Sequence, residues 1–276
     1  MLHERAYAKL NLALQVGRPR PDGLHPVCSL FASIDLADEV HGDPIGFGAD
    51  SVECPGVDGP NLALAALAAV RDRLDGALPP IGVRIGKRVP VAAGLGGGSA
   101  DAAAVLRIAN RVAGEPLDMA ALRELAARLG SDVPSQVEPR HALVQGAGEL
   151  IEPIDLPPLI AVLAPGENGL STAAVYAEVD RRGGGRDRLD PAALRGLAAA
   201  PANELASGLH NDLEAAALSL RPELTHTLDA LRAAEALGAA ITGSGPTCFG
   251  LFDDRGAAEA AAASLPRAIV TELRTL

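Results

Sequence analysis

The sequence of 276 residues contains no tryptophan, and aromatic residues make up only 2% of it. So few rings leave almost no platforms on which single-stranded nucleic acid could stack. Basic residues are also in deficit, 24 against 35 acidic, for a formal charge of −11. A chain of that sign repels nucleic acid and anionic membranes and leaves room only for a local basic pocket. Cysteine is scarce: Cys28, Cys54 and Cys248 are odd in number, widely spaced and without a CxxC pair, so they read as reduced thiols. The six histidines show neither HxxxH nor HxxE spacing, which argues against zinc. No run approaches the ~18 continuous apolar residues of a membrane span, and the opening Met-Leu-His-Glu-Arg lacks the pattern of a signal peptide. A cytoplasmic protein with neither nucleic acid nor membrane as partner is expected.

What is present is globular in balance, 48% apolar and 21% charged. The length suits one large domain or two small ones. Residues 6–16 (AYAKLNLALQV) read as a strand, followed by a Pro-Asp-Gly turn, and residues 27–36 as another. Helical spacing sets in over residues 61–74, a strand alternates from Ile81 through Val89, and residues 99–112 form a second helix candidate. Asp118 is a natural N-cap for a third helix through Leu129, with Gly130 as its stop. Pro157 and Pro158 mark a joint, which places the domain division at 1–154 and 155–276. The second half offers a strand at 159–163, helices at 171–180, 222–237 and 257–265, and strands at 239–242, 247–252 and 269–273. Residues 183–188, rich in glycine and charge, read as a mobile loop. This order predicts an antiparallel sheet covered on one face by helices.

The chemistry points to residues 89–106, VPVAAGLGGGSADAAAVL. Gly94, Gly96, Gly97 and Gly98 can reach positive φ and turn backbone N–H groups inward around an anion. Ser99 is then expected to open a helix whose unpaired N–H groups and dipole favour a phosphate. Spacing excludes a Walker loop, because no Lys-Ser or Lys-Thr pair follows Gly98. A dinucleotide fingerprint fails at Ser99 or Asp101, and the protein-kinase tripeptides HRD and DFG are missing.

The stretch PVAAGLGGGSA resembles the glycine loop of the GHMP kinases, Pro-x-x-x-Gly-Leu-Gly-Gly-Gly-Ser-Ser/Ala. Three further segments are similar to those of one branch of that family: AYAKLNLALQV with RPDGLH, LGSDVPSQV (residues 129–137) and ITGSGPTCFGLF (residues 241–252). The resemblance covers nearly the whole chain in the same order. It implies an α+β, two-domain GHMP-kinase fold, with an N-terminal ATP-binding α/β domain built on a mixed sheet. The C-terminal domain would be ferredoxin-like, with an antiparallel sheet. It also implies ATP and Mg²⁺ as cofactors, CDP-methylerythritol as the alcohol phosphorylated at its 2-hydroxyl in non-mevalonate isoprenoid synthesis, and a monomer or homodimer.

Residue by residue, the resemblance makes Asp132 the general base and pairs Lys9 with it and the reacting hydroxyl. Such a lysine keeps the aspartate ionised and stabilises the developing alkoxide. Lys9 by itself is odd, a cation in mid-strand among apolar neighbours; the alternative is an edge-strand lysine reaching water. Asp132 by itself could be a turn or cap residue. Pro90, Val91, Ala92, Ala93, Gly94, Leu95, Gly96, Gly97, Gly98, Ser99 and Ala100 would cradle ATP, and the Ser99 hydroxyl would reach the metal. Asn11 would bind the erythritol part, His25 the cytosine, and Thr172 with Tyr176 would place a ring on the base. Leu24 departs from the usual tyrosine and has no π-face. Ser135 and Gln136 stand where an aromatic pair is usual. Gly243, Ser244 and Gly245 would approach the loop and the substrate phosphates, or else form a plain hairpin. Asn211 to Glu214 (NDLE) resembles a family segment that is expected to be structural. Two other functions remain open on the residues alone: a GHMP kinase for another alcohol such as homoserine or mevalonate, and a non-catalytic nucleotide-binding protein of the same fold.

Overall fold

The computed structural model describes residues 1–21, 23–57 and 61–275; Asp22 of the expected Pro-Asp-Gly turn lies outside them. The chain opens with two long strands, β1 (Leu2–Val16) and β2 (Val27–Pro44), and the short β3 (Ser51–Glu53). Next come α1 (Leu62–Arg73), β4 (Ile81–Gly86), α2 (Gly97–Val112), α3 (Met119–Leu129) and α4 (Val133–Gln136). Strands β5 (Ala142–Gly146), β6 (Leu150–Pro153) and β7 (Ile160–Ala164) follow, then α5 (Thr172–Arg181), α6 (Pro191–Ala198) and α7 (Ala202–Ser207). The chain ends with β8 (His210–Asn211), α8 (Glu214–Leu220), α9 (Leu224–Ala233), β9 (Gly238–Ile241), β10 (Cys248–Phe252), α10 (Arg255–Ala263) and β11 (Ile269–Glu272).

Compactness divides the chain into two units, each assembled from separate segments. The first takes residues 1–8, 36–91 and 96–139; the second takes 9–35, 92–95 and 140–276. Strands β1 and β2 therefore run through both. The strand order β3-β4-β2-β1-β8, with β5 on β2 and β6 on β5, mixes parallel and antiparallel pairs as expected for the N-terminal sheet.

In the first unit, α1, α2 and α3 bury their apolar faces with those of β2 and β4. Leu67, Val70, Ile81, Ile85, Leu106 and Ile108 share that core. Small side chains let the layers meet closely: a Cβ at Gly42 would lie 2.7 Å from Ile108 Cγ2. The caps follow the sequence signals. Asn61 accepts from the Ala63 N–H and Asp118 from the Ala121 N–H, each satisfying an otherwise orphaned donor, and α3 ends at Gly130.

The second unit holds a four-stranded antiparallel sheet in the order β11-β7-β10-β9. Counted along the chain, that order is fourth, first, third, second, the arrangement of a ferredoxin-like domain. Its apolar face gathers Val162, Leu228, Leu231, Ile241 and Phe252 with Ala258 and Ala261 of α10. Residues 183–188, read from the sequence as a mobile loop, have an anchor in the structure: the Arg186 N–H donates to Val16 O at 2.8 Å, and its guanidinium pairs with Asp212. Helices α6, α7 and α8 fill a stretch the sequence reading left unassigned. Asp190 caps α6 through the Ala193 N–H with Pro191 at the first helical position, a signal that was there to be read.

Candidate active site

Lys9 occupies β1 and is 4% exposed, which rules out a lysine reaching water from an edge strand. Its ammonium donates to Asn11 Oδ1 at 2.7 Å and to Gly94 O at 3.1 Å, and it lies 5.1 Å from the centre of the Phe31 ring. A buried cation is tolerable only when its protons find oxygens in this way. Asn11 follows two residues later on the same face of the strand. It is equally buried, and its backbone N–H donates to the Thr242 hydroxyl at 3.0 Å.

The Gly-Ser-Gly turn after β9 closes on the same place. Gly94 has φ +78°, and a Cβ there would lie 2.5 Å from Thr242 O and 3.0 Å from Gly245 O, so only glycine lets the two backbones meet. A Cβ at Gly243 would lie 3.3 Å from Asn11 Oδ1, 3.4 Å from Gly94 O and 3.5 Å from Lys9 Nζ. Four of the residues singled out in the sequence, Lys9, Asn11, Gly94 and Gly243, thus converge within one unit. The turn is held from behind by Asn211, whose amide donates to Ile241 O and Gly243 O, while Glu214 accepts from the Ile241 N–H. That is a structural role for the NDLE segment.

Also in this unit, Thr172 and Ser244 share a hydrogen bond of 2.9 Å between their hydroxyls. The His25 and Tyr176 rings lie 5.0 Å apart, tilted by 47°. His25 Nδ1 is 2.8 Å from Gly17 O, and its Nε2 is 3.5 Å from an Asp180 carboxylate oxygen. Leu24 is half-exposed. The pocket residues named from the sequence therefore fall into three groups: Asn11, Gly243 and Gly245 beside Lys9 and Gly94, Thr172 with Ser244, and His25 with Tyr176.

The first unit carries the other half of the glycine loop. Here the helix opens two residues before the expected position: α2 begins at Gly97, and Gly96 is its N-cap with φ 71°. Ser99 is the third helical residue, because a left-handed cap is a conformation glycine supplies without strain. The N–H groups of Gly97, Gly98 and Ser99 precede the first helical acceptor pairing, Ala100 N–H to Gly96 O, and so belong to the orphaned set that binds anions. A Cβ at Gly98 would meet no described atom within 4 Å, while one at Gly97 would lie 2.9 Å from Val89 Cγ1.

Close to that turn lies an ion cluster the sequence reading missed. Lys87 Nζ is 2.5 Å from Asp38 and 2.8 Å from Asp101, and it would be 3.4 Å from a Cβ at Gly97. Asp38 is fully buried and also accepts the Arg88 and Val89 N–H groups. Burial pushes the Asp101 carboxyl up to about 7; Lys87 opposes that shift and Asp38 adds to it. The two carboxylates hold the Lys87 ammonium above its ordinary value against the opposing effect of burial.

Asp132, also in the first unit, is half-buried and stands immediately before α4. Its side chain makes no capping hydrogen bond to that helix among the described residues, and its carbonyl accepts from the Ser135 hydroxyl. Ser135 and Gln136 are buried, with the Gln136 carbonyl accepting from Arg107, so they pack locally. Among the described residues no group of three or more His, Cys, Asp or Glu side chains could hold a metal ion. No described helix is long and apolar enough to cross a membrane.

A ferredoxin-like sheet, a mixed sheet and a glycine loop opening a helix define the class. Models described as the GHMP kinases N terminal domain and GHMP kinases C terminal match residues 61–138 and 192–271. The 4-diphosphocytidyl-2-C-methyl-D-erythritol kinase of Streptomyces avermitilis is 40% identical over 95% of this chain and 91% of its own. Its namesake from Anaeromyxobacter dehalogenans is 43% identical over 94% and 83%. A crystal structure of 4-(cytidine 5'-diphospho)-2C-methyl-D-erythritol kinase superposes with a TM-score of 0.84 at 32% identity, covering 100% of both chains. The chain belongs to the 4-diphosphocytidyl-2-C-methyl-D-erythritol kinase family of GHMP kinases.

Proposed function

We propose that the protein transfers the γ-phosphoryl group of ATP to the 2-hydroxyl of 4-(cytidine 5'-diphospho)-2-C-methyl-D-erythritol, releasing ADP. The observation that carries this is the buried Lys9 ammonium, set in a strand against Asn11, Gly94 O and the Gly243 turn. A buried cation, held by oxygens and set beside the Gly243 turn, suits the stabilisation of a developing alkoxide. Asp132 accepts the hydroxyl proton, and Lys9 assists by favouring the anionic oxygen. Phosphoryl transfer asks little else of the protein than positioning and charge stabilisation.

The orphaned N–H groups of Gly97, Gly98 and Ser99 bind phosphate oxygens, and the Ser99 hydroxyl contributes to Mg²⁺ binding. Mg²⁺, when bound with ATP, supplies neutralisation of phosphate charge. Asn11 holds the erythritol part. His25 and Tyr176 receive the cytosine, and Leu24 offers an apolar surface without a π-face. Thr172 and Ser244 together with Gly245 line the diphosphate path. We place the domain division between residues 154 and 155, at the proline-rich joint read from the sequence.

The deciding experiment measures ADP release with Mg-ATP and the cytidylyl compound, homoserine or mevalonate, for the wild type and Asp132→Asn. Turnover confined to the cytidylyl compound and lost in the variant is expected. Turnover on another alcohol would overturn the substrate, near-normal activity of Asp132→Asn would remove the base, and nucleotide binding without any turnover would leave a non-catalytic protein.

A further inference from the structure

Asn11 can present either end of its amide to Lys9, and the ammonium must meet the oxygen rather than the NH₂ group. A second buried side chain decides which. Ser29, on β2, is fully buried. Its hydroxyl lies 2.8 Å from Ala13 O and 2.8 Å from Asn11 Nδ2. A carbonyl oxygen only accepts, so the single hydroxyl proton of Ser29 goes to Ala13, and its oxygen is left to accept. Only the NH₂ end of Asn11 can donate to it. That turns the amide oxygen toward Lys9 Nζ, 2.7 Å away. The relay thus has one direction: Lys9 donates to Asn11, Asn11 to Ser29, and Ser29 to a strand carbonyl whose position the sheet fixes. Thr242 supports the same orientation, accepting from the Asn11 N–H and directing its own hydroxyl at Asn11 Oδ1 from 3.4 Å.

We propose that Ser29 is a positioning residue of the kinase reaction: through the amide of Asn11 it fixes the place of the Lys9 ammonium. This rests on the function proposed above for Lys9 and Asn11. Without the Ser29 hydroxyl the amide loses its buried acceptor, and its NH₂ end must look for another in a site where water is excluded. The ammonium then samples more than one position, which slows the chemical step. ATP binding, which depends on backbone N–H groups elsewhere, is unaffected.

The test is a double-mutant cycle on kcat and on KM for ATP, with Ser29→Ala, Asn11→Ala and the pair, each with Mg-ATP varied at saturating cytidylyl substrate. Ser29→Cys, which keeps the side-chain shape at a slightly larger size and weakens the hydrogen bond, serves as the second variant, and melting temperatures check the fold of all of them. The expected result is an about tenfold fall in kcat for Ser29→Ala with KM for ATP changed less than about twofold. In the Asn11→Ala background the same change should cost less than about twofold, because the residue it acts through is gone. An equal loss in both backgrounds would assign Ser29 a packing role and overturn the proposal, as would undiminished kcat in Ser29→Ala and Ser29→Cys. If Lys9→Ala and Asn11→Ala each kept wild-type turnover, the proposed site itself would fail and this inference with it.

Discussion

Replacing Asp101 by asparagine should make the protein's stability less sensitive to pH between 5 and 8. Lys87 sits between two carboxylates, so the cluster buries one negative charge more than it neutralises. The two acids are not equivalent. Asp38 receives two backbone N–H groups as well as Lys87, whereas Asp101 Oδ1 is buried with no hydrogen-bond partner among the described residues. Asp101 is therefore the acid driven toward its neutral form, its carboxyl pushed from 3.8 up to about 7, mainly by burial. In the unfolded chain that carboxyl has lost its proton by about pH 5. Through the window between the two values the folded state binds more protons, so stability present at low pH is lost as pH rises through about 7. At ~1.4 kcal/mol per unit, the part of the shift lying between pH 5 and 7 amounts to about 3 kcal/mol. At ~2 °C per kcal/mol for a chain of this size, that is roughly 6 °C in melting temperature. Calorimetric melts of the wild type and Asp101→Asn at pH 5, 6, 7 and 8, at constant ionic strength, read the titration of the cluster, because the carboxyls remote from it cancel in the difference. The asparagine variant should gain on the wild type as pH rises, whatever constant offset its new hydrogen bonds introduce. Parallel curves, with a difference independent of pH, would show that Asp101 is ionised throughout and that the account of the cluster is wrong.

Gly94→Ala forces a Cβ to 2.5 Å from Thr242 O at a φ of +78°, a left-handed conformation that costs alanine roughly 1 kcal/mol before any clash; activity should fall more than about tenfold, and full activity would show that the loop and turn need not touch. Gly97→Val and Gly98→Ala separate folding from ligand blocking: the first should lose stability against Val89 as well as ATP affinity. The second should keep its melting temperature, so unchanged ATP affinity in both, measured calorimetrically, would place the phosphates elsewhere. Burial pushes the Cys28 and Cys248 thiols up to about 11 and about 12, so native alkylation at pH 8 should mark at most one cysteine by mass spectrometry, the half-buried Cys54, and all three in denaturant.

Local signals in the sequence account for most elements, and the exceptions share a cause. Asn61, Asp118 and Ser171 announce their helices because a cap acts within three residues. The glycines at 183–185 suggested mobility because what holds that segment, Val16 O and the Asp212 carboxylate, is remote in sequence. The interlaced units were equally hidden, since nothing within β1 or β2 marks the residue at which each strand leaves one unit for the other. At the site, a lysine in mid-strand was conspicuous, and the period of two sets Asn11 beside it on one face of β1. Lys87 looked like an ordinary basic residue before the loop, because Asp38 and Asp101, which make it a buried ion, come from β2 and α2. Ser29 carried no signal at all: a serine in a strand is unremarkable until the strand beside it supplies a carbonyl that takes its proton and an amide that needs its oxygen. A residue that acts chemically by its own charge can stand out against its neighbours in sequence. A residue that acts by fixing the direction of another's hydrogen bonds is defined by which groups accept and which donate around it, and that becomes visible only when the strands are paired.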